Sequence, residues 1–227
     1  MAQDLTSLER RTTADDVFDY LHAQISALKL LPGTRISEVE IARQFDVSRQ
    51  PVREAFIRLA NCELLLIRPQ KATIVRRFSH KNIHRARFVR FAVEAEALRR
   101  ACAKPLGRIQ ARLERNLESQ EKMVADGDVE RFHTLDYDFH RTLCNAAGSD
   151  FVFETIQENK TQVDRLCVLS LTQPAAMDEL LQDHKDLLAG LVAGDEARVL
   201  EVIRLHLSRL DDVVASIRKS HTDFFED

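Results

Sequence analysis

The sequence Ser48-Arg49-Gln50-Pro51-Val52-Arg53-Glu54-Ala55 opens a predicted helix, with a serine as its cap, a proline in its first turn and two arginines four residues apart. Serine is favoured at helix N-caps, and proline is tolerated in the first turn because no amide partner is lost there. Residues four apart project from one face of a helix, so Arg49 and Arg53 are expected to point the same way. The stretch therefore predicts a helix that presents two guanidinium groups at its start.

Two further segments flank this helix. Residues Glu38–Phe45 form a predicted short helix that is joined to it by the turn Asp46-Val47. After it, Leu64–Ile67 and Thr73–Arg76 enclose Pro69-Gln70-Lys71-Ala72, which has the composition of a hairpin tip. Helix, turn, helix and hairpin in this order predict a winged helix-turn-helix, whose second helix lies in the major groove of DNA.

The N-terminal residues of the second helix are the ones that reach base edges in such a motif. Arginine suits bidentate contact with guanine or phosphate, and glutamine can read adenine. Arg35 lies just before the helix pair and Lys71 lies at the wing tip. Both are expected to contact phosphates. The alternative is that Arg53 and Glu54 are surface charges of an amphipathic helix. The predicted DNA-contacting residues are Arg35, Ser48, Arg49, Gln50, Arg53 and Lys71.

The charge distribution agrees with this prediction although the whole chain carries a net charge of −3. Between Arg35 and Arg77 there are nine Lys/Arg residues against five acidic residues, so this window is locally basic. A local basic patch is what phosphate contact requires, and the charge of the whole chain is a poor guide to it.

The length of 227 residues exceeds that of a single winged helix and fits two domains, which we place at residues 1–78 and 79–227. In the first, apolar periodicity predicts a helix from Thr13 to Lys29, and Ser37 with Glu40 forms a predicted capping box.

The second domain has a helical pattern throughout. The predicted helices cover residues 80–103, 108–125, 128–146, 150–170, 178–193 and 195–219. Short connections between them predict an antiparallel bundle. The fold class is therefore mainly α: an N-terminal winged helix-turn-helix with a small β-hairpin, followed by a C-terminal all-α bundle of six helices.

No apolar run approaches the ~20 residues that span a bilayer, so no membrane partner is expected. The four cysteines are widely scattered and form no CxxC pair. This pattern is typical of reduced, mostly buried thiols in a cytosolic protein, and it predicts a cytoplasmic location.

One carboxylate and three imidazoles fall within the apolar stripes of three predicted helices. Burying such groups costs several kcal/mol unless they find partners, and a divalent metal would partner all of them at once. Two of them are i and i+4 neighbours on one face, as a chelating pair requires. Taken singly, each histidine has the alternative of being a hydrogen-bonded core residue. The predicted metal ligands are Asp136, His140, His184 and His206.

Nitrogen and oxygen ligands without a thiolate suit Zn, Ni, Mn or Fe(II), and the sequence does not choose among these divalent ions. Four protein ligands in an octahedral shell would leave two positions for water or for a carboxylate.

The N-terminal motifs carry a family resemblance. The segments 32–38 (PGTRISE), 41–42 (IA) and 47–59 (VSRQPVREAFIRL) are similar to the N-terminal domain of GntR-family bacterial transcription regulators, over about residues 13–77. The resemblance implies that Arg35, the two arginines of the second helix and the wing tip contact operator DNA. The sequence departs from the family at Glu63 and Ala72, where the family usually has glycine.

The C-terminal half resembles the FadR-like ligand-binding domain, FCD, of the same regulators. The pattern Asp136-x-x-x-His140 matches positions where metal-binding members carry ligands, as do the other two predicted histidines. The family's Arg-x-x-x-Glu on the first bundle helix matches Arg90 and Glu94. Family members often bind a small carboxylate beside the metal, which implies that Arg90 is an anion partner. A surface i, i+4 ion pair with Glu94 is the alternative.

These observations predict a homodimeric transcription regulator, and we expect a repressor. Two winged helices would bind a pseudo-palindromic double-stranded operator, and a small organic acid or the metal in the bundle would control that binding. The alternative classes are a helical metal-dependent hydrolase and a regulator whose metal is purely structural or sensory, with no organic effector. The sequence has no HExxH motif and no His-Asp dipeptide to favour the hydrolase.

Overall fold

The computed structural model describes residues 11–148, 151–171 and 175–226, with the side chains of residues 158–162 left out. The chain divides into two compact units, with the boundary between Arg76 and Arg77. No helix among the described residues is long and apolar enough to cross a membrane.

The first unit contains three helices and three short strands in the order of a winged helix-turn-helix. Their bounds are α1 Thr13–Ser26, β1 Arg35–Ile36, α2 Glu38–Phe45, α3 Arg49–Asn61, β2 Leu65–Leu66 and β3 Thr73–Val75. The core forms where the apolar stripe of α1 meets that of α3, with Val17, Leu21, Phe56 and Leu59 all buried. This packing fixes α3 with its opposite face in solvent.

Two local predictions in this unit are wrong, and a third is confirmed in position only. Helix α1 ends at Ser26, before the predicted Lys29, and Leu28 then adopts a left-handed φ of 56° that ends helical geometry. The hydroxyl of Ser37 accepts from the amide of Val39, so the predicted box with Glu40 does not form. Ser48 occupies the N-cap position of α3, but its side chain makes no cap hydrogen bond.

The wing is a three-stranded antiparallel sheet in the order β1-β3-β2. Strand β1 pairs Arg35 with Ile74, which sets one predicted phosphate-binding residue on an edge of the sheet. At the two departures from the family, Glu63 has a φ of 57°, whereas the left-handed residue of the wing tip is Gln70 with a φ of 56°. Ala72 therefore carries no left-handed strain, while Glu63 occupies a conformation that glycine adopts at lower cost.

The second unit is a bundle of six helices, as predicted. Their bounds are α4 His80–Cys102, α5 Arg108–Asp126, α6 Val129–Ala146, α7 Phe151–Leu171, α8 Ala176–Ala193 and α9 Glu196–Ser220. No described end differs from the prediction by more than two residues, and Asp150, where one helix was predicted to begin, lies outside the described residues. The fold class is confirmed.

The C-terminal residues fasten the start of this unit. The amide of Phe78 donates to the carbonyl of Phe224, and the amide of Glu226 donates to the carbonyl of Phe78, both at 2.8 Å. The rings of Phe78 and Phe225 are buried against each other. The segment that follows the winged helix is therefore held by the end of the chain.

The cysteines differ from their prediction in burial. Only Cys144 is buried, Cys62 is exposed, and Cys102 and Cys167 are intermediate. The prediction of mostly buried thiols is therefore wrong. None of the four forms a disulfide bond among the described residues.

Candidate nucleic-acid interface and metal centre

The predicted DNA-contacting residues all lie on the exposed surface of the first unit. Arg49, Gln50 and Arg53 are exposed in the first turns of α3, and Ser48 is exposed just before them. Arg35 is exposed on strand β1, and Lys71 is exposed at the wing tip. The structure thus places an arginine pair at the start of α3, one cation on strand β1 and one in the loop between β2 and β3.

One residue that the sequence did not single out organises the arginine pair. Glu38, at the start of α2, accepts a hydrogen bond from Nη2 of Arg49 at 3.0 Å and another from Nη2 of Arg53 at 3.3 Å. Burial opposes the charged form of Glu38, but the two arginines outweigh that effect and lower its pKa. Glu38 is therefore an ionised anchor for both guanidinium groups.

The four predicted metal ligands come together in the second unit. Helix α6 supplies Asp136 and His140, α8 supplies His184 and α9 supplies His206. One ligand atom from each lies within 4.8 Å of all the others. The three histidines are buried because each sits in the apolar stripe of its helix, and Asp136 keeps a side-chain exposure of 15%.

At the centre of this cluster the ligand atoms converge at short distances, and one buried nitrogen is left without a hydrogen bond. Nε2 of His140 and Nε2 of His206 face each other at 3.0 Å. Nε2 of His184 is 3.4 Å from Oδ1 of Asp136, and no hydrogen bond reaches this buried nitrogen from any described residue. An orphaned buried nitrogen among imidazoles and a carboxylate is the donor set that a divalent metal would satisfy.

Two of the three imidazoles have a hydrogen-bonded outer partner on Nδ1, and the third has a carboxylate nearby without a hydrogen bond. Nδ1 of His140 lies 2.6 Å from Glu94 and Nδ1 of His184 lies 2.8 Å from Gln120. Nδ1 of His206 is 3.4 Å from Asp183. Metal-binding histidines in proteins are oriented by such outer partners, so the residues present fit a metal.

The protonation states also suit metal binding. Burial lowers the pKa of His184 to about 4, and burial also lowers the pKa of His140 despite the nearby Glu94 carboxylate. Burial works in the opposite direction on Asp136, but its neighbours His184, His140 and Arg90 hold its pKa well below the usual value. Near neutral pH these groups are two neutral imidazoles and a carboxylate, which is the deprotonated state that metals require.

A cavity of about 220 Å³ opens beside the four predicted metal ligands. Two of these ligands, Asp136 and His206, also line the cavity. Arg90 also lines this cavity, and its Nε donates to Glu94 at 2.5 Å. The two form the i, i+4 pair that the sequence suggested, but Glu94 is only 1% exposed, so the pair is buried and not at the surface. Glu94 thus joins the cavity-lining Arg90 to His140.

Sequence analysis did not find the outer partners Glu38, Gln120 and Asp183. Gln120 follows the buried Leu113 and Leu117 on α5. Its position in the apolar stripe of that helix could have indicated that its side chain is buried. Asp183 is buried next to His184 on α8. A second polar residue within the apolar stripe of this helix could also have been noticed in the sequence. Glu38 is half-buried on a polar helix face and gives no such signal.

The winged fold, the exposed arginines and the helical bundle define a class of DNA-binding regulators, and comparison with known proteins identifies it. Residues 13–75 match the model of the bacterial regulatory proteins of the gntR family, and residues 86–209 match the FCD domain. The chain belongs to the GntR family and carries its FCD domain.

Several relatives span nearly the whole chain. The HTH-type transcriptional repressor RspR of Escherichia coli K12 is 33% identical over 93% of this chain and 92% of its own length. A probable D-xylose utilization operon transcriptional repressor of Paenarthrobacter nicotinovorans is 28% identical over 88% of each chain. Among solved structures, McbR/YncC of E. coli matches with a TM-score of 0.74 at 22% identity, covering 91% of this chain and 99% of that one.

These comparisons confirm the predicted class. The chain is a DNA-binding transcription regulator with an effector-binding FCD domain. The alternative of a helical metal-dependent hydrolase is wrong, since the family and the named relatives are regulators and not enzymes.

Proposed function

We propose that the chain is a homodimeric repressor, in which residues 1–78 bind a pseudo-palindromic operator and residues 79–227 dimerise and bind a divalent metal together with a small carboxylate. The names of the relatives RspR and the probable D-xylose operon repressor support repression. Two copies would bring two reading helices to adjacent major grooves. The observation that carries the control mechanism is the cavity that shares Asp136 and His206 with the metal cluster.

At the operator, the exposed arginines of α3 are proposed to read bases. Arg49 and Arg53 suit guanine, and Gln50 suits adenine. Ser48, Arg35 and Lys71 are proposed to contact phosphates, which fix the register of the protein on the duplex. Support comes from their exposure on one compact unit and from the basic charge of that segment.

In the bundle, Asp136, His140, His184 and His206 are proposed to hold a divalent metal, with Zn, Ni, Mn and Fe(II) as the candidate ions. When bound, the metal supplies positive charge and an open coordination position that attract a carboxylate. Arg90 is proposed as the second anion partner, because the described contacts use only its Nε and leave its terminal nitrogens for a ligand.

The remaining cations of the cavity support a carboxylate of modest charge. Arg87 is paired with Asp211, and Arg209 is paired with Asp183 and Glu179. These arginines bond carboxylates through their terminal nitrogens, whereas the described bond of Arg90 to Glu94 uses Nε, so the attraction for an anion comes mainly from the metal and the terminal nitrogens of Arg90. A ligand controls operator binding only by preferring one of two arrangements of the regulator.

The test of the DNA-reading assignment is Arg49→Ala combined with Arg53→Ala. An operator is first selected from a random duplex pool with the wild-type chain, and its affinity is measured by fluorescence anisotropy. Wild-type binding should weaken steeply as salt rises, because phosphate contacts release counterions. The double variant should bind the selected operator no better than a scrambled duplex. Sequence-specific binding retained by the double variant contradicts the assignment.

The test of the control site is a screen of small carboxylic acids by thermal shift, with each of the four candidate metals and with a chelator. At least one acid should raise the melting temperature only when metal is present, and the same acid should change operator affinity. If metal alone shifts the melting temperature and no acid adds to it, the metal is structural or sensory and the carboxylate effector is wrong.

A further inference from the structure

Two side chains of α5 form a hydrogen-bonded relay that ends on His184. Asn116 donates from Nδ2 to the backbone carbonyl of Leu135 at 3.1 Å. Gln120, one turn further along α5, donates from Nε2 to Oδ1 of Asn116 at 2.6 Å. The Oε1 atom of Gln120 then lies 2.8 Å from Nδ1 of His184. The relay therefore runs from the backbone of α6 through α5 to a proposed metal ligand on α8.

The direction of every bond in this relay is set by its first member. A backbone carbonyl can only accept, so Asn116 must turn its NH₂ group toward Leu135 and its oxygen toward Gln120. Gln120 then meets that oxygen with its own NH₂ group and turns its oxygen toward His184. An amide oxygen only accepts as well, so Nδ1 of His184 must carry the hydrogen. In a neutral imidazole this leaves Nε2 without a proton.

The competing tautomer of His184 would close the proposed site. Oδ1 of Asp136 lies 3.4 Å from Nε2 of His184, so a hydrogen on Nε2 would find a carboxylate to bond. The relay opposes that tautomer, because Gln120 would then present its oxygen to a bare Nδ1. The ring of Phe139 stacks on His184 with centroids 4.3 Å apart and holds the imidazole plane. Nε2 is thereby kept as a free lone pair that faces the other three ligands.

We infer that Asn116 and Gln120 are positioning residues of the regulatory site, which fix the tautomer of His184 so that Nε2 binds the metal. This inference rests on the proposed metal site. Gln120 is fully buried and Asn116 bonds both of its neighbours in the relay, so neither amide is a solvated surface group. The outer partners of the other two imidazoles are carboxylates, Glu94 and Asp183, whereas Gln120 orients its histidine without adding charge.

The experiment compares the affinity of the full chain for Zn²⁺ in four forms, by competition with a chromophoric chelator. Gln120→Leu removes the acceptor and should weaken zinc binding by roughly 10- to 100-fold, the usual effect of losing an outer partner. Gln120→Glu keeps an oxygen for Nδ1 of His184 but loses the donor to Oδ1 of Asn116, so it should weaken zinc binding less than Gln120→Leu does. Gln110→Leu is the matched control, because Gln110 lies on the same helix and bonds only Glu114 in the described contacts. It should leave the zinc affinity unchanged.

A second measurement separates positioning from general stability. Nitrogen-15 NMR of the metal-free chain reports which ring nitrogen of His184 carries hydrogen. The wild type and Gln120→Glu should show the Nδ1–H tautomer, and Gln120→Leu should shift His184 toward Nε2–H. If Gln120→Leu does not fold, Asn116→Leu is measured in its place and should weaken zinc binding and mix the two tautomers, because the Gln120 amide can then turn over.

Two outcomes overturn the inference in distinguishable ways. A wild-type chain that takes up none of the four candidate ions overturns the metal site and the positioning role together. Wild-type zinc binding that persists unchanged in Gln120→Leu, or a His184 that keeps the Nδ1–H tautomer in that variant, overturns the relay and leaves the metal site standing.

Discussion

At the scale of single residues, the proposed DNA-reading surface depends on a carboxylate that is not itself expected to touch DNA. Glu38 bonds the guanidinium groups of both Arg49 and Arg53, and it stays ionised because those two arginines lower its pKa against the cost of burial. An arginine that is already held in place loses less side-chain entropy when it binds a base edge. We therefore expect Glu38 to contribute to discrimination among sequences more than to attraction for DNA.

We expect Glu38→Gln to lower the affinity for the selected operator and to raise the affinity for a scrambled duplex. The first effect follows from the loss of arginine orientation and the second from the loss of a negative charge near phosphates. The ratio of the two affinities should fall by about tenfold, equivalent to about 1.4 kcal/mol. Fluorescence anisotropy with both duplexes at one salt concentration measures it.

The matched control is Glu40→Gln, which removes the same charge from the same helix at an exposed position without a described contact to either arginine. It should raise both affinities together. An unchanged or larger ratio in Glu38→Gln argues against orientation by Glu38.

At the scale of secondary-structure elements, the metal cluster depends on how closely α8 and α9 approach. A Cβ atom added to Gly190 on α8 would lie 2.7 Å from Cγ2 of Val199 on α9, which is closer than such contacts are found. Glycine therefore permits a close helix crossing between the helices that carry His184 and His206. The turn between these helices ends with Asp195, whose side chain caps α9 by accepting from the amide of Arg198.

We expect Gly190→Ala to destabilise the bundle, because overpacking costs about 1–3 kcal/mol and exceeds the helix propensity of about 1 kcal/mol that alanine adds. Urea unfolding followed by circular dichroism measures the loss. Val199→Ala removes the atom that the new methyl group would strike. The combined variant should therefore lose less stability than the sum of the two single variants. Losses that simply add would show that the contact does not limit the approach of the helices.

Elements were predictable from sequence where their signal is local. The helices of the bundle follow apolar periodicity and end at turns, so they were located to within two residues. Strand β1 and the bridge between Phe78 and Phe225 were not predicted. Each contains too few residues to show a hydrophobic periodicity. Each forms only because a segment distant in the sequence supplies its hydrogen-bonding partner.

At the scale of the whole molecule, the proposed input and the proposed output lie in different units. The arginine pair belongs to the unit that ends at Arg76, and the metal cluster belongs to the unit that begins at Arg77. Damage to one site is therefore expected to leave the local chemistry of the other intact. Control of the operator by the metal then requires a coupling free energy between the two sites.

We expect the Arg49→Ala, Arg53→Ala variant to keep the full stabilisation by zinc. At a zinc concentration 100 times its dissociation constant, the bound metal should stabilise the folded bundle by about 2.7 kcal/mol. Thermal unfolding with zinc and with a chelator measures this shift. His184→Ala should lose the zinc-dependent shift, because one of four ligands is missing. A shift that persists in His184→Ala, or that disappears in the arginine variant, would show that zinc acts elsewhere.

The sequence by itself determined the class of fold, the reading helix and the four polar residues that converge in the bundle. These features depend on short-range regularities, since an arginine pair at i and i+4 or a histidine in an apolar stripe is visible within one helix. Only the tertiary structure decided which groups support them. Glu94 meets His140 across 46 positions of the chain, and Gln120 meets His184 across 64. Such pairs depend on how the helices pack against one another, which no local pattern specifies. The proposed tautomer of His184 and the hydrogen bonds of Glu38 to two arginines could therefore be inferred only from the folded structure.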